Sequence, residues 1–220
     1  MNDSARGEQQ RRRHLLVLLG DSDIERWPAH LYPFYVFPRN VEIVGRGGAQ
    51  LRDVTEIYKN WALESAAIAD NCVGELDIFI IACAGENDIG SGKSIEATME
   101  DFSLLLAGII SEYNGEGRRK IIFLGPKFEP WLIRDHSSRK QYATLSKRMR
   151  RHCEKHVRCA DITFVDCLTM FCGETKGVPG AALGGRAIPD KNYFAEDGLH
   201  LNDEGYNLWK EELNRLLHQL

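Results

Sequence analysis

The chain has 220 residues, of which 43% are hydrophobic and 27% charged, and its formal net charge is −4. These values are typical of a single soluble α/β domain with a full core. The negative balance excludes a general electrostatic attraction to nucleic acid, and no apolar run is long enough to span a membrane.

The first apolar run, Leu15–Leu19, follows a polar stretch and the basic residues Arg11–Arg13. It is shorter than the core of a secretory signal, and no small-residue cleavage site follows it. We therefore expect a flexible tail over residues 1–13, a single domain over residues 14–220 and a cytoplasmic location. In that compartment the six cysteines are expected to be reduced thiols.

Short apolar runs alternate along the chain with longer segments of helical periodicity. The apolar runs predict strands at His14–Leu19, Val41–Val44, Leu76–Cys83, Lys120–Leu124 and Ile162–Val165. A helix or turn is expected at Ser22–Trp27, and longer helices at Gln50–Ala69, Ser94–Tyr113, Ser137–Val157 and Asp203–Leu217. This alternation predicts a flavodoxin-like three-layer α/β/α sandwich with a five-stranded parallel sheet. The active site of such a sheet lies beyond the carboxyl ends of its strands.

Polar clusters follow the first three predicted strands, and a fourth lies near the C-terminus. They are Gly20-Asp21-Ser22, the glycine-rich Gly45-Arg46-Gly47-Gly48, Gly85-Glu86-Asn87-Asp88 and Asp197-Gly198-Leu199-His200. Together they supply a hydroxyl, an imidazole with a carboxylate three residues before it, and amide donors. Those are the groups that acyl transfer requires.

The four clusters predict a role for each group. Ser22 is the candidate nucleophile, His200 the base, and Asp197 the acid that orients the imidazole. The oxyanion would be met by the amides of Ser22 and Gly48 and by the side chain of Asn87. Gly47 is an alternative to Gly48, because both lie in the glycine-rich segment.

In this order, the four blocks resemble those of the SGNH or GDSL hydrolases, including relatives of platelet-activating factor acetylhydrolase. Gly20-Asp21-Ser22 matches the first block, Gly48 the second, Gly85-x-Asn87-Asp88 the third and Asp197-x-x-His200 the last. The resemblance implies the same residue roles, a flavodoxin-like fold, no metal or other cofactor, and carboxylic esters of lipids, sugars or other small molecules as substrates. An acyltransferase remains an alternative, because an alcohol can replace water in resolving an acyl-enzyme.

Other interpretations compete with these roles. Ser22 could cap the helix that follows it, Asn87 could stabilise its own turn, and the chain could be a scaffold protein that retains a hydrolase fold. Gly92-Lys93-Ser94 suggests a phosphate loop, but the required glycine five positions earlier is replaced by Asn87. His152, Cys153, His156 and Cys159 are metal-ligating residue types without the spacing of zinc knuckles.

Three loops are expected to shape the pocket, namely Ala29–Arg39, Phe128–His136 and Gly173–Tyr193. The aromatic and proline residues of Leu31–Pro38 suggest an apolar wall. Trp27, Trp131 and Trp209 are interpreted as packing residues. We expect a monomer or a weak homodimer.

Overall fold

The computed structural model describes residues 13–33, 40–69, 76–111, 118–157, 160–172 and 188–217. Its five strands are β1 (Arg13–Gly20), β2 (Val41–Gly45), β3 (Leu76–Cys83), β4 (Arg119–Leu124) and β5 (Asp161–Val165). All pairings are parallel, in the order β2-β1-β3-β4-β5. This is the strand order of a flavodoxin-like doubly wound sheet, so the predicted fold class is confirmed.

The helices cover both faces of the sheet. They are α1 (Ser22–Glu25), α2 (Leu51–Ala69), α3 (Glu86–Gly90), α4 (Ile95–Ser111), α5 (His136–His156) and α6 (Asp203–Leu217), with short 3₁₀ turns at Ala29–Leu31, Pro130–Ile133 and Lys191–Tyr193. Among the described helices, none combines the length and the apolar character needed to cross a bilayer. Some segments named in the sequence analysis lie outside the described part of the chain. They are most of the predicted tail, Cys72, Cys159, residues 34–39 and residues 173–187.

The sheet separates two hydrophobic cores, and β1 contributes to both. Val17 and Leu19 pack with buried residues of α2, α4 and α5, whereas Leu16 and Leu18 pack with α1 and α6. Because successive strand side chains point to opposite faces, a strand covered on both sides is apolar at every position. This explains the unbroken apolar run that identified β1 in the sequence.

The order of the strands creates a crevice above β1 and β3. From β1 the chain first crosses to β2 on one side and later returns to β3 on the other, so the connections that leave β1 and β3 diverge. Gly20 ends β1 where a Cβ atom would lie 2.0 Å from the carbonyl oxygen of Cys83. The lack of a side chain at Gly20 therefore lets the loop carrying Ser22 begin directly beside the end of β3.

Candidate active site

Ser22 is the first residue of α1, and its side chain is partly buried at the carboxyl end of β1. The N-cap of this helix is Asp21, whose carboxylate accepts the Asp23 amide at 3.1 Å. Helix capping is therefore done by Asp21, and the hydroxyl of Ser22 points elsewhere. Asp21 is therefore a structural carboxylate that holds the start of α1.

The Ser22 hydroxyl, the His200 ring and the Asp197 carboxylate form a continuous hydrogen-bonded line. Ser22 Oγ lies 3.1 Å from His200 Nε2, and His200 Nδ1 lies 2.6 Å from Asp197 Oδ2. An ionised carboxylate can only accept, so Nδ1 carries the proton and Nε2 is left to accept the Ser22 hydroxyl. The imidazole is in the tautomer that a base requires.

The loop before α6 holds Asp197 in place for this contact. Its Oδ1 accepts the backbone amides of Leu199 and His200 at 2.9 and 3.0 Å, while Oδ2 faces the ring. The hydrogen bond from the His200 side chain, together with the two amides, keeps the pKa of Asp197 well below its ordinary value. The carboxylate is therefore ionised wherever the imidazole is neutral.

Asn87 lies on the other side of the crevice, at the start of α3. Its Nδ2 donates to the carbonyl oxygen of Ala49 at 3.0 Å, which joins the loop after β3 to the loop after β2. A side-chain amide has two N–H groups, so one remains for an oxyanion. Asn87 thus bridges two loops, which is more than the stabilisation of its own turn.

The glycine-rich loop after β2 turns at residues 47 and 48. Gly48 has a φ of +70°, a left-handed conformation that favours glycine, and a Cβ built there meets nothing within 4 Å. Gly48 is exposed and precedes Ala49, whose carbonyl oxygen accepts a hydrogen bond from Asn87, so its position suits an amide donor. Gly47 remains an alternative.

A buried ion cluster lies directly beneath these residues, and the sequence reasoning missed it. Lys127 Nζ contacts Asp23 Oδ2 at 2.6 Å, Glu86 Oε2 at 2.6 Å and Glu129 Oε1 at 3.0 Å. Asp23 and Glu86 received no role from the sequence, and Lys127 was not singled out. The available signal was that charged residues directly flank the motif residues Ser22 and Asn87 at the ends of buried strands.

Burial governs the charge state of this cluster. It raises the pKa of Glu86 to about 8, although Lys127 opposes the shift. Burial would lower the pKa of Lys127, but Asp23, Glu86 and Glu129 outweigh this effect and raise it well above its ordinary value. Burial, reinforced by Asp23 and Glu86, also raises the pKa of Asp21. The cluster therefore holds a permanent cation, and burial makes Glu86 and Asp21 keep their protons to a higher pH than exposed carboxyl groups do.

Lys93, the lysine of the phosphate-loop alternative, is already paired with two carboxylates. Lys93 Nζ contacts the carboxylates of Asp88 and Asp101, the first at 2.7 Å. Asp88 also accepts the Leu51 amide at 2.9 Å and so ties α3 to the start of α2. Lys93 acts as a structural counterion in this arrangement.

The metal alternative is not supported by the described residues. Across that part of the chain, no three His, Cys, Asp or Glu side chains are grouped so that they could hold a metal ion. His152 and His156 lie on one face of α5 with tilted rings whose centroids are 4.8 Å apart, and Cys153 is buried. Cys159 lies outside the described residues.

One predicted packing residue is on the surface. Trp27 and Trp209 are buried, as expected, but Trp131 is 40% exposed. Its indole N–H donates to Glu129, which orients the ring. The preceding Pro130 lies against Gly198, since a Cβ on that glycine would be 3.6 Å from Pro130 Cβ. Trp131 therefore stands close to the loop that carries His200.

Comparisons with known proteins agree with the fold and identify a family. The model of the GDSL-like lipase/acylhydrolase family matches residues 18–208. A Streptococcus pneumonia protein whose name refers to platelet activating factor has a TM-score of 0.65 at 16% identity, over 96% of this chain and 86% of its own. A member of the lipolytic protein G-D-S-L family from Veillonella parvula has a TM-score of 0.64 at 16% identity, over 94% and 100%.

A third similar structure is Est24, a carbohydrate acetylesterase from Sinorhizobium meliloti. Its TM-score is 0.58 at 13% identity, over 94% of this chain and 99% of its own. At such identities the likeness concerns the fold. No curated protein matched the chain.

Proposed function

Because the chain belongs to the GDSL-like lipase/acylhydrolase family and is a carboxylic ester hydrolase, we propose that it works through a Ser22-His200-Asp197 triad and an acyl-enzyme. Family membership also agrees with the resemblance of the four sequence blocks. The observation that carries the proposed mechanism is the hydrogen-bonded line from Ser22 Oγ through His200 to Asp197. A serine hydroxyl is a weak nucleophile, and a neighbouring base is what activates it.

In the first half of the reaction, His200 Nε2 takes the Ser22 proton as Oγ attacks the ester carbonyl carbon. The carbonyl oxygen becomes an oxyanion, which Asn87 Nδ2 and the backbone amides of Ser22 and Gly48 stabilise. When the intermediate collapses, the ester C–O bond breaks and His200 returns its proton to the departing alcohol. Ser22 is then acylated. Throughout, Asp197 stabilises the imidazolium without taking its proton.

In the second half, water replaces the alcohol. His200 accepts a proton from the water as its oxygen attacks the acyl carbon. The same donors meet the second oxyanion, and collapse releases the carboxylic acid with the proton restored to Ser22 Oγ. The cycle consumes one water for each ester and leaves the protein unchanged.

A paired measurement of turnover and labelling tests this mechanism. We expect wild type to hydrolyse p-nitrophenyl acetate and to be modified on Ser22 by a fluorophosphonate, and Ser22→Ala to do neither. Ser103→Ala is a matched control, because Ser103 lies on α4 and bonds the Met99 carbonyl at 2.8 Å. Equal turnover by wild type and Ser22→Ala would rule the mechanism out.

The substrate panel should include acetylated sugars as well as butyryl and longer esters. Est24, which shares this fold, is a carbohydrate acetylesterase, and the exposed ring of Trp131 suits a sugar face or an acyl chain. Release of acetate from an acetylated sugar at a higher kcat/KM than from the nitrophenyl ester would assign acetylated sugars as the substrate class.

A further inference from the structure

The cation of Lys127 joins three loops that meet at the active site. Its side chain is 1% exposed and lies on the loop after β4. Asp23, one of its partners, directly follows Ser22, and Glu86, another, directly precedes Asn87. One ammonium group therefore ties the segment of the nucleophile to the segment of the oxyanion donor.

Further contacts extend the cluster to the third part of the site. Asp23 Oδ1 accepts the Leu201 amide at 3.4 Å, and Leu201 directly follows His200. The Tyr206 hydroxyl of α6 donates to the Asp23 carbonyl oxygen at 2.8 Å. Glu86 Oε1 accepts the backbone amide of Lys127 at 2.6 Å. Each of Ser22, Asn87 and His200 is thus one residue away from a group held in the cluster.

The structure assigns Lys127 a positioning role in ester hydrolysis, in which its ammonium sets the spacing of Ser22, Asn87 and His200 through Asp23 and Glu86. This inference rests on the proposed function. It requires the ammonium group, because the buried carboxyl oxygens of Asp23, Glu86 and Glu129 all accept hydrogen bonds from it. Losing the cation would admit water or separate the loops after β1 and β3.

A double-mutant cycle distinguishes positioning from simple stabilisation of the fold. We expect Lys127→Met to lower kcat on p-nitrophenyl acetate about 100-fold, with KM changed less than threefold. If Lys127→Met lowers kcat by displacing the oxyanion donor Asn87, Asn87→Ala has already lost that contribution. In the Asn87→Ala background, Lys127→Met should therefore lower kcat by less than about tenfold. A structural role alone predicts the same factor in both backgrounds.

Lys120→Met is the matched control. Lys120 lies near the amino end of β4, the strand that precedes the loop of Lys127, and its Nζ is 3.9 Å from Asp161 Oδ2. We expect this variant to keep the wild-type kcat. Amide hydrogen exchange gives a readout that does not depend on activity: Lys127→Met should speed exchange at residues 21–24, 86–88 and 200–202, and Lys120→Met should leave these segments unchanged.

If Lys127→Met does not fold, Glu86→Gln takes its place in the cycle, because it removes one carboxyl partner of the ammonium but keeps an oxygen for the Lys127 amide. A folded Lys127→Met with kcat within threefold of wild type overturns the inference, as does a cycle with equal factors in both backgrounds. Failure of the fluorophosphonate to label wild-type Ser22 would instead refute the triad mechanism. In that case exchange confined to the three segments would still support the positioning role, and unchanged exchange would overturn it.

Discussion

His200 Nε2 lies 3.1 Å from Ser22 Oγ, although 178 positions separate the two residues in the chain. The contact forms because Ser22 follows the central strand β1. Helix α6 packs on the same face of the sheet as α1, and the loop before α6 places His200 at the carboxyl edge of the sheet. In such a contact the acceptor nitrogen can take the hydroxyl proton, which allows general-base catalysis.

The first prediction concerns acid pH. A protonated imidazole cannot accept the Ser22 proton, so kcat/KM should fall about tenfold per pH unit once His200 is mostly protonated. The measurement is kcat/KM on p-nitrophenyl acetate between pH 4.5 and 8, with circular dichroism at each pH to verify folding. A flat profile for folded protein across this range would exclude a histidine base.

The second prediction concerns Asp197→Asn. The amide can donate to Nδ1 and so favour the wrong tautomer, and it lacks the charge that stabilises an imidazolium. We expect kcat to fall by roughly 10²–10⁴ with little change in KM. Glu196→Gln is the control, because Glu196 is the exposed neighbour in the same loop. If Asp197→Asn and Glu196→Gln have the same kcat, Asp197 is not part of the machinery.

The third prediction concerns Asn87→Ala. Removing one oxyanion donor should lower kcat by about 10²–10³, and KM should change little because the donor acts chiefly on the transition state. Asn40→Ala is a matched control, since the Asn40 amide also bonds a backbone carbonyl, that of His14 at 3.2 Å, at the far end of β1. A rise in KM at an unchanged kcat would assign Asn87 to substrate binding.

Hydrophobic patterning predicted the five strands and the longer helices to within a few residues. β1 and β3 were found because a strand covered on both faces is apolar at every position. The three polar clusters that follow strands were found because the carboxyl ends of parallel strands meet at one edge. Asp197 and His200 were found because a carboxylate three residues before a histidine completes the groups for acyl transfer. In the structure these two side chains and Ser22 lie in one hydrogen-bonded line.

The ion cluster could not be predicted in the same way. A hydropathy pattern treats Asp23, Glu86 and Lys127 as surface residues, because charged side chains are almost never buried unless they are paired. Their pairing depends on loops that are distant in sequence, with 104 positions between Asp23 and Lys127. Trp131 packs edge-on against Tyr142 but is 40% exposed, and that exposure depends on the path of the loop after β4, which a hydropathy pattern does not describe.

The fourth prediction concerns Trp131→Ala. Pro130, which precedes Trp131, lies against the loop of His200, and Glu129 orients the exposed ring, so we expect the ring to offer an apolar surface to a substrate. We expect KM for esters with a sugar or butyryl group to rise about 5–30-fold, which corresponds to about 1–2 kcal/mol of lost contact, at nearly constant kcat. Leu104→Ala, an exposed apolar site on α4, should leave KM unchanged. An unchanged KM for every ester in the panel would remove Trp131 from the binding surface.

The fifth prediction concerns the pH dependence of stability. Burial raises the pKa of Glu86 to about 8, whereas a glutamate in an unfolded chain titrates near about 4.3. The folded protein therefore binds this proton more tightly than the unfolded chain does. The resulting stabilisation is complete below the unfolded value and is lost as the pH rises through about 8.

Glu86→Gln should remove this component, because glutamine does not ionise and its oxygen can still accept the Lys127 amide. Urea unfolding at intervals from pH 5 to 8.5 measures the effect. The free energy of unfolding of wild type should fall more steeply over this range than that of Glu86→Gln, and Glu56→Gln, an exposed partner of Lys59, should follow wild type. Parallel curves for wild type and Glu86→Gln would mean that Glu86 is ionised in the folded protein, and the four buried carboxylates would then share one cation.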